Sequence, residues 1–192
     1  MSTVPFPDPG SRPPAPEPLR TVQAFVNTRD IENVRDELET PSGLQAVMTR
    51  IGLLEAGARP LRERDRLAAV RMREALRSLL LANNGGTVEP EALAELEGVA
   101  GRARFTVSFE DGLARLVPTA GGIDGALGRL VAIVQGAMLD GSFGRLKACR
   151  RDVCHWAYYD RSRNGSSTWC ATSVCGNRVN TRTYRQRHSA HR

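Results

Sequence analysis

Four cysteines near the C-terminus have the residue type and spacing of metal ligands. They form two pairs with equal internal spacing, C-x4-C-x15-C-x4-C, at Cys149, Cys154, Cys170 and Cys175. Tetrahedral zinc takes four such sulfurs at about 2.3 Å, and two paired turns joined by a hairpin can supply them. The spacer offers that hairpin through a strand-like run at 155–159, a turn at Asn164-Gly165 and a return at 167–169. We therefore predict a zinc site closed by four thiolates.

Two other uses of the four cysteines stay open from spacing alone. Two disulfide bonds would suit an oxidising compartment, but the N-terminal residues have no basic patch followed by an apolar stretch, so we do not expect a secretory signal. An iron–sulfur cluster also takes four cysteines. The regular pairing favours zinc, and so small a module usually needs a metal or disulfide to hold it together.

Positive charge is concentrated around these cysteines. The chain has a net formal charge of +6, while residues 145–192 hold 11 basic and two acidic residues, a net +9. The same segment holds all four cysteines, both tryptophans and all three tyrosines. Such a charge attracts polyanions. Because zinc with four thiolates carries a formal −2, Arg150, Arg151 and Arg178 could instead serve the sulfurs as hydrogen-bond donors.

The residues after Cys175 predict a basic helix. If a helix begins near Ser173, then Arg178, Arg182 and Arg185 recur at helical spacing and lie on one face. A metal-anchored helix with an arginine stripe suits phosphate contacts or groove reading. The predicted nucleic-acid-contacting residues are the polar, basic and aromatic side chains of this segment: Asn177, Arg178, Asn180, Arg182, Tyr184, Arg185 and Arg187.

The rest of the chain predicts a mostly helical body. Thr40-Pro41 is typical of an N-cap followed by the first helical residue, and Gly57 is placed to end that helix. A second helix is expected from about Leu61 to Ala82, a third at Pro90 and a last from Ile123 to Met138. Residues 21–30 fit either a strand or a buried helical turn.

A change of hydrophobic period predicts one β-hairpin. Apolar and polar residues alternate over 105–110, and Asp111-Gly112 separates them from a second run at 113–117. We expect the aliphatic residues of these helices and strands to form the core, including the following: Leu44, Leu76, Leu93, Val107, Leu113, Leu127, Leu130 and Met138.

These elements predict an α+β chain with three parts. Residues 1–19 form a Pro-rich flexible leader, since seven of the 11 prolines lie within the first 18 residues. Residues 20–140 form a mostly helical domain with a small β-hairpin. Residues 143–188 form a small zinc-finger module of hairpin plus C-terminal helix.

Catalysis and membrane insertion are not expected. The body contains no histidine, P-loop or HExxH motif, and a four-thiolate zinc leaves no position for a catalytic water. We therefore predict no enzyme activity and no catalytic residue. No run approaches the roughly 18–20 apolar residues of a membrane span. The predicted compartment is the cytoplasm.

The cysteine module resembles the CGNR zinc finger. The resemblance covers about 143–188 and includes the literal tetrapeptide Cys175-Gly176-Asn177-Arg178. Upstream, AFVNTRD followed by DELETPSGLQAV is similar to the opening of the ABATE domain, which commonly precedes that finger. The resemblance implies a bacterial, stress-induced transcription regulator that binds DNA and zinc. It also implies a ligand-binding N-terminal domain, whose opening motif Asn27 and Thr28 match. These two residues are candidates either to line the ligand pocket or to form a structural cap.

Two functions therefore follow as expectations. The first is a zinc-dependent transcription regulator that binds DNA, with a body that senses a small-molecule effector or forms a homodimer. The alternative is a zinc-stabilised adaptor that binds RNA or an acidic protein partner. Competition among duplex DNA, RNA and protein distinguishes them, because both kinds of binding are sensitive to salt.

Overall fold

A computed structural model describes residues 12–110, 112–178 and Thr181. Five α-helices lie in the described part: α1 (Leu19–Val26), α2 (Pro41–Arg50), α3 (Glu63–Ala82), α4 (Pro90–Ala103) and α5 (Gly122–Leu139). Six short strands pair as antiparallel hairpins: β1 (Arg29–Asp30) with β2 (Arg35–Asp36), β3 (Phe105–Glu110) with β4 (Leu113–Pro118), and β5 (Leu146–Ala148) with β6 (Ala157–Tyr159). The α+β prediction is confirmed.

Local signals placed most helices correctly. Thr40 caps α2, since its Oγ1 accepts a hydrogen bond from the Gly43 N–H at 3.0 Å. That helix ends at Arg50 rather than near Gly57, because Gly52 already adopts a positive φ of 75°. The ambiguous stretch at 21–30 is mainly helical: α1 covers it up to Val26.

The core of the body is aliphatic and surrounds α3. Met72, Leu76 and Leu80 are fully buried on that helix. Their neighbours in the same apolar cluster come from α1, α2 and α5: Val22, Phe25, Leu44, Met48, Leu127 and Leu130. Among the described helices, α5 is long and apolar enough to cross a membrane, but several of its residues belong to this core.

The expectation that every aliphatic position is core was wrong in three places. On the β3–β4 hairpin, Val107 and Leu113 are exposed, and so is the aromatic Phe109, at 77%. The alternation correctly predicted the strands, but a two-stranded ribbon has faces that nothing in the described body covers. Leu93 on α4 and Met138 on α5 are also exposed, because each lies on the outward side of its helix.

Two arginines of α3 are buried instead of solvated. Arg73 is fully buried and forms a bidentate ion pair with Asp36 at 2.6 and 2.8 Å. Arg77 is 3% exposed and donates to the Val26 carbonyl oxygen at 2.8 Å. Glu74 accepts from both guanidinium groups, at 2.9 Å from Arg73 and 3.0 Å from Arg77. Buried arginine is stable only when so paired, and these pairs tie α3 to α1 and β2.

The cysteine-bearing segment packs directly on the body. Phe143, Leu146 and Ala148 share the apolar cluster of the helical body. The described part of the Pro-rich leader contacts the same segment: Arg12 donates to the Trp169 carbonyl oxygen at 3.0 Å and lies over the Tyr158 ring. Arg12 is therefore in contact with the cysteine segment. Residues 1–11 lie outside the described part, and the flexibility of the leader stays a prediction.

Candidate metal centre

The structure brings the four cysteines together. Their Sγ atoms all lie within 4.8 Å of one another, and all four residues are buried. Cys154 and Cys170 are 3.7 Å apart at sulfur, and Cys170 and Cys175 are 3.6 Å apart. An ion with four sulfurs at about 2.3 Å in a tetrahedron sets neighbouring sulfurs about 3.8 Å apart. The cluster therefore fits one tetrahedral metal ion.

The same distances argue against the two alternatives. All four cysteines are free thiols, and their sulfurs lie well beyond the bonded distance of about 2.05 Å. An iron–sulfur cluster spreads its four thiolates over two or more irons, which requires a wider set of sulfurs. A single ion shared by all four thiolates suits the observed packing.

The hairpin that carries the first pair differs from the predicted one. The strand-like run is β6, but its partner is β5, with Leu146 opposite Tyr159 and Ala148 opposite Ala157. The predicted return at 167–169 is not a strand. The chain after the turn contributes one backbone bond instead, from the Arg150 N–H to the Thr168 carbonyl oxygen at 3.4 Å.

A buried ion pair fixes the loop between the two cysteine pairs. The single lysine of the chain, Lys147, is 5% exposed and donates to the Asp160 carboxylate at 2.9 Å. That carboxylate also accepts from the backbone N–H groups of Ser162 and Ser167 at 2.9 and 2.8 Å. Burial alone would raise the pKa of Asp160, but these donors hold that pKa well below its usual range.

The last cysteine lies in a wide helical turn that leads into the basic segment. Thr172–Gly176 forms a π-type turn, and the Gly176 N–H donates to the Ala171 carbonyl oxygen at 3.2 Å. A Cβ on Gly176 would lie 3.1 Å from the Trp169 ring. Glycine at this position therefore lets the Trp169 indole pack closely against the turn. Asn177 and Arg178, which follow this turn directly, are α-helical.

One carboxylate of the body pairs with two arginines of the cysteine segment, and one of these arginines contacts a cysteine sulfur. Arg151 Nη1 lies 3.9 Å from the Cys175 sulfur and donates to Glu32 at 2.9 Å. Glu32, in the β1–β2 turn, also pairs with Arg178. Of the three arginines considered for the sulfurs, Arg151 reaches one within the described residues. Arg178 is held by a body carboxylate instead.

Crowding separates the pKa values of the thiols. Hydrogen bonds with Cys154 and Cys170 lower the pKa of Cys149. The bond with Cys149 raises the pKa of Cys154, and bonds with both of those cysteines raise the pKa of Cys170. Once one thiolate forms, its neighbours act as donors and resist losing their protons. A cation beside Cys149, Cys154 and Cys170 would favour the thiolate form of all three.

Amide side chains of the body hold the backbone of the cysteine segment. Asn27 donates to the Ala157 carbonyl oxygen at 2.9 Å and accepts from the Ala157 N–H at 2.8 Å. Asn84 donates to the carbonyl oxygens of Ala148 and Thr168 at 2.8 and 2.9 Å. Sequence reasoning missed these residues as a set, although the Asn83-Asn84 pair at the end of α3 was visible.

The two residues predicted to bind a ligand have structural partners. Asn27 borders a cavity of about 190 Å³, but its amide is engaged with Ala157 on both sides. Thr28 is fully buried, and its hydroxyl donates to the Phe25 carbonyl oxygen and accepts from Arg73. Their role in ligand binding remains a prediction.

The residues predicted to contact nucleic acid are described only in part. Asn177 is exposed and bonds the Ser173 carbonyl oxygen at 3.2 Å, and Arg178 has a side chain that is 55% exposed. The other five lie outside the described residues: Asn180, Arg182, Tyr184, Arg185 and Arg187.

Comparison with protein families covers both parts of the chain. Residues 19–140 match the ABATE family, described as "Putative stress-induced transcription regulator". Residues 145–188 match the CGNR zinc finger. Both matches confirm the resemblance found in the sequence. Among curated proteins, none matches this chain.

Proposed function

We propose, from the premise that this chain belongs to the ABATE family and carries a CGNR zinc finger, that it is a zinc-dependent transcription regulator that binds DNA. The observation that carries the proposal is the convergence of four buried sulfurs on one site, directly before a basic segment. The ion we assign is zinc, because four thiolates in a tetrahedron are its usual structural site. Such a site requires reduced thiols, which favours the cytoplasm.

The assigned zinc would be held by Cys149, Cys154, Cys170 and Cys175, and its chemistry there is structural. Because Cys175 lies one residue before Gly176-Asn177-Arg178, a fixed sulfur also fixes where the following helix begins. Residues 145–192 carry a net formal +9 from their basic and acidic side chains, which the −2 of a four-thiolate zinc would reduce to +7. Phosphate contacts by arginine account for most affinity in such an interface.

The helical body is the part that we assign to sensing. Asn27, Asn84 and Arg77 join it to the backbone of the finger. A conformational change in the body could therefore reach the metal centre through these hydrogen bonds. Binding of a small molecule to the body would shift the finger only if the two states of the protein bind that molecule differently.

The test is binding to a labelled mixed-sequence DNA duplex, followed by fluorescence anisotropy at about 50 mM and about 200 mM salt. We expect affinity to fall steeply with salt. Replacing Arg182 and Arg185 together by alanine should weaken binding and lower the salt slope by about two, while zinc stays bound.

A matched control removes the same charge from the body. The double variant Arg104→Ala, Arg115→Ala should bind DNA like the parent protein. Failure of the parent to bind the duplex at low salt would contradict the proposal. Tighter binding to RNA or to an acidic polypeptide in competition would replace DNA with that partner.

A further inference from the structure

A cleft of about 980 Å³ lies in the described part of the body. The α2–α3 connection forms one wall, the first half of α3 another, and the start of α5 a third. Its volume is at the upper end of the range of sites that take small organic molecules, roughly 300–1,000 Å³. It lies at the opposite end of α3 from Asn83 and Asn84, which hold the finger.

The lining of this cleft is unusually rich in arginine. Five arginines and three carboxylates border it, which gives the lining a net formal charge of +2. The arginines come from every wall: Arg59, Arg64, Arg71, Arg102 and Arg129. Glu95 lies just outside the lining and pairs with Arg71 and Arg102. With Glu95 included, the five arginines and four carboxylates have a net formal charge of +1.

Two of the three carboxylates already have partners. Asp65 accepts from the Arg62 N–H at 2.8 Å, which caps α3. Asp124 lies 3.3 Å from Arg102. On the positive side, Arg59 forms no ion pair with another described residue, and Arg64 has only a 3.6 Å contact with Asp65. The cleft therefore holds guanidinium groups that are able to bind a ligand.

The floor of the same cleft is apolar. Leu53 is buried, and Leu61, Ala68 and Ile123 are partly buried against the core. A ligand there would meet aliphatic carbon on one side and guanidinium groups on the other. Arginine binds carboxylate, sulfonate and phosphate by paired N–H donors.

We propose that this cleft binds a small organic anion with an apolar body. The proposal gives the ligand class for the sensing part of the proposed function and rests on it for its biological meaning. Binding itself is independent of DNA, so it can be measured without the finger's partner.

The test compares two dyes that differ in charge, 8-anilinonaphthalene-1-sulfonate and the neutral N-phenyl-1-naphthylamine. Fluorescence titration of the full zinc-loaded chain should show one site for the sulfonate. The neutral dye should bind about tenfold more weakly, because it lacks the charged acceptor for arginine. Equal affinity for the two dyes would overturn the proposal.

Variants localise the binding to the cleft. Arg59→Gln with Arg64→Gln should weaken sulfonate binding at least about fivefold and leave neutral-dye binding unchanged. Arg115→Gln, outside the cleft, should change neither. Thermal unfolding by circular dichroism checks that each variant is folded. Unchanged sulfonate affinity in the folded double variant would also overturn the proposal, whether or not the protein binds DNA.

Discussion

The helical body and the cysteine module are stabilised in different ways. The body buries aliphatic side chains from four helices around α3, with Leu76 and Leu80 fully enclosed. The module has a small cluster made of its four cysteines and neighbouring aromatic residues, such as Trp156 and Tyr158. Apolar burial can stabilise the body, whereas the small cluster of the module would need a bound ion and polar contacts from the body.

Under the proposed function, this difference would separate ligand sensing in the body from DNA recognition by the module. A packed aliphatic core tolerates a ligand at its edge without losing its fold, since the free energy of packing is shared among many side chains. With zinc bound as proposed, the module would depend on one central ion and on a few contacts, such as Asn27 with Ala157. A modest change in those contacts can therefore alter the module while the body stays folded.

The largest predicted effect is loss of the metal. Cys170→Ser removes the sulfur that lies 3.6–3.7 Å from two others. Binding of structural zinc contributes on the order of 10 kcal/mol to the folding free energy of a small module. The variant should therefore lose both zinc and the folded structure of the module. Metal analysis and tryptophan fluorescence measure this, because both tryptophans lie in the module. Ser166→Ala, in the exposed spacer, should retain one zinc per chain.

A core truncation in the body should come next. Leu76→Ala leaves a cavity at a fully buried site and should lower the free energy of unfolding by about 3 kcal/mol. Leu67→Ala makes the same change at a 44% exposed position of α3 and should cost well under 1 kcal/mol. Denaturant unfolding followed by far-ultraviolet circular dichroism compares the two. Equal costs would mean that α3 does not face the core in the way described.

The buried Asp36–Arg73 pair predicts a pH dependence of the body. Burial alone would raise the pKa of Asp36, but hydrogen bonds from Arg73 and the Leu38 N–H outweigh it and keep that pKa low. A lowered pKa stabilises the fold above the unfolded value of about 3.9 and loses this effect as the pH falls below it. Stability should therefore decline between about pH 5 and pH 2.

Asp36→Asn tests that assignment. It should cost about 2–3 kcal/mol near neutral pH, because the buried Arg73 loses a charged acceptor. The variant should also lose less stability on acidification than the parent protein does. Parallel pH profiles for the two proteins, measured by urea unfolding, would show that Asp36 is not responsible.

Loosening the joint between the two regions should have a smaller effect. Asn27→Ala leaves the N–H of Ala157 without its acceptor, while the carbonyl oxygen of Ala157 keeps the Gln23 amide at 3.2 Å, so we expect a cost of about 1–2 kcal/mol. We expect the tryptophan-monitored transition to fall in temperature more than the helix-monitored one. Asn164→Ala, in the exposed turn of the module, should shift neither. A shift confined to the helices would contradict the role given to Asn27.

The smallest predicted effect concerns the carboxylate shared by Arg151 and Arg178. Glu32→Gln should change stability by less than about 1 kcal/mol, since both the carboxylate and Arg178 are partly exposed. It frees Arg178 for phosphate, so affinity for duplex DNA should rise up to about fivefold. Glu39→Gln removes another exposed carboxylate and serves as the control. Weaker DNA binding by Glu32→Gln would show that the ion pair with Glu32 instead holds Arg178 in position to bind DNA.

The metal ligands were predictable because their spacing encodes the geometry directly. Cys149 and its three partners recur in two equal pairs, and four thiolates have few other uses. The N-cap of α2 at Thr40 was equally predictable from the sequence, because it depends only on the Thr40 side-chain oxygen and on the proline that follows. The β3–β4 hairpin was predicted correctly as strands but wrongly as core, because periodicity reports a face and not what covers it.

Tertiary partners could not be predicted in the same way. Arg73 and Arg77 look like solvated helix residues, because arginine is abundant in the chain and their partners lie dozens of residues away. The pairing of β5 with β6 was missed because β5 is three residues long and precedes Cys149. The one polar residue of β5, Lys147, is buried because it forms an ion pair with Asp160, and no local sequence pattern predicts that pair.

A chelator titration with two simultaneous readouts tests the central claim most directly. Stepwise removal of the metal from the full chain should change the tryptophan signal of the module and abolish binding to duplex DNA. Far-ultraviolet circular dichroism should retain most of the helical signal from the body, and added zinc should restore the rest. A protein that is metal-free as purified, yet keeps its tryptophan signal and its DNA binding, would contradict the account.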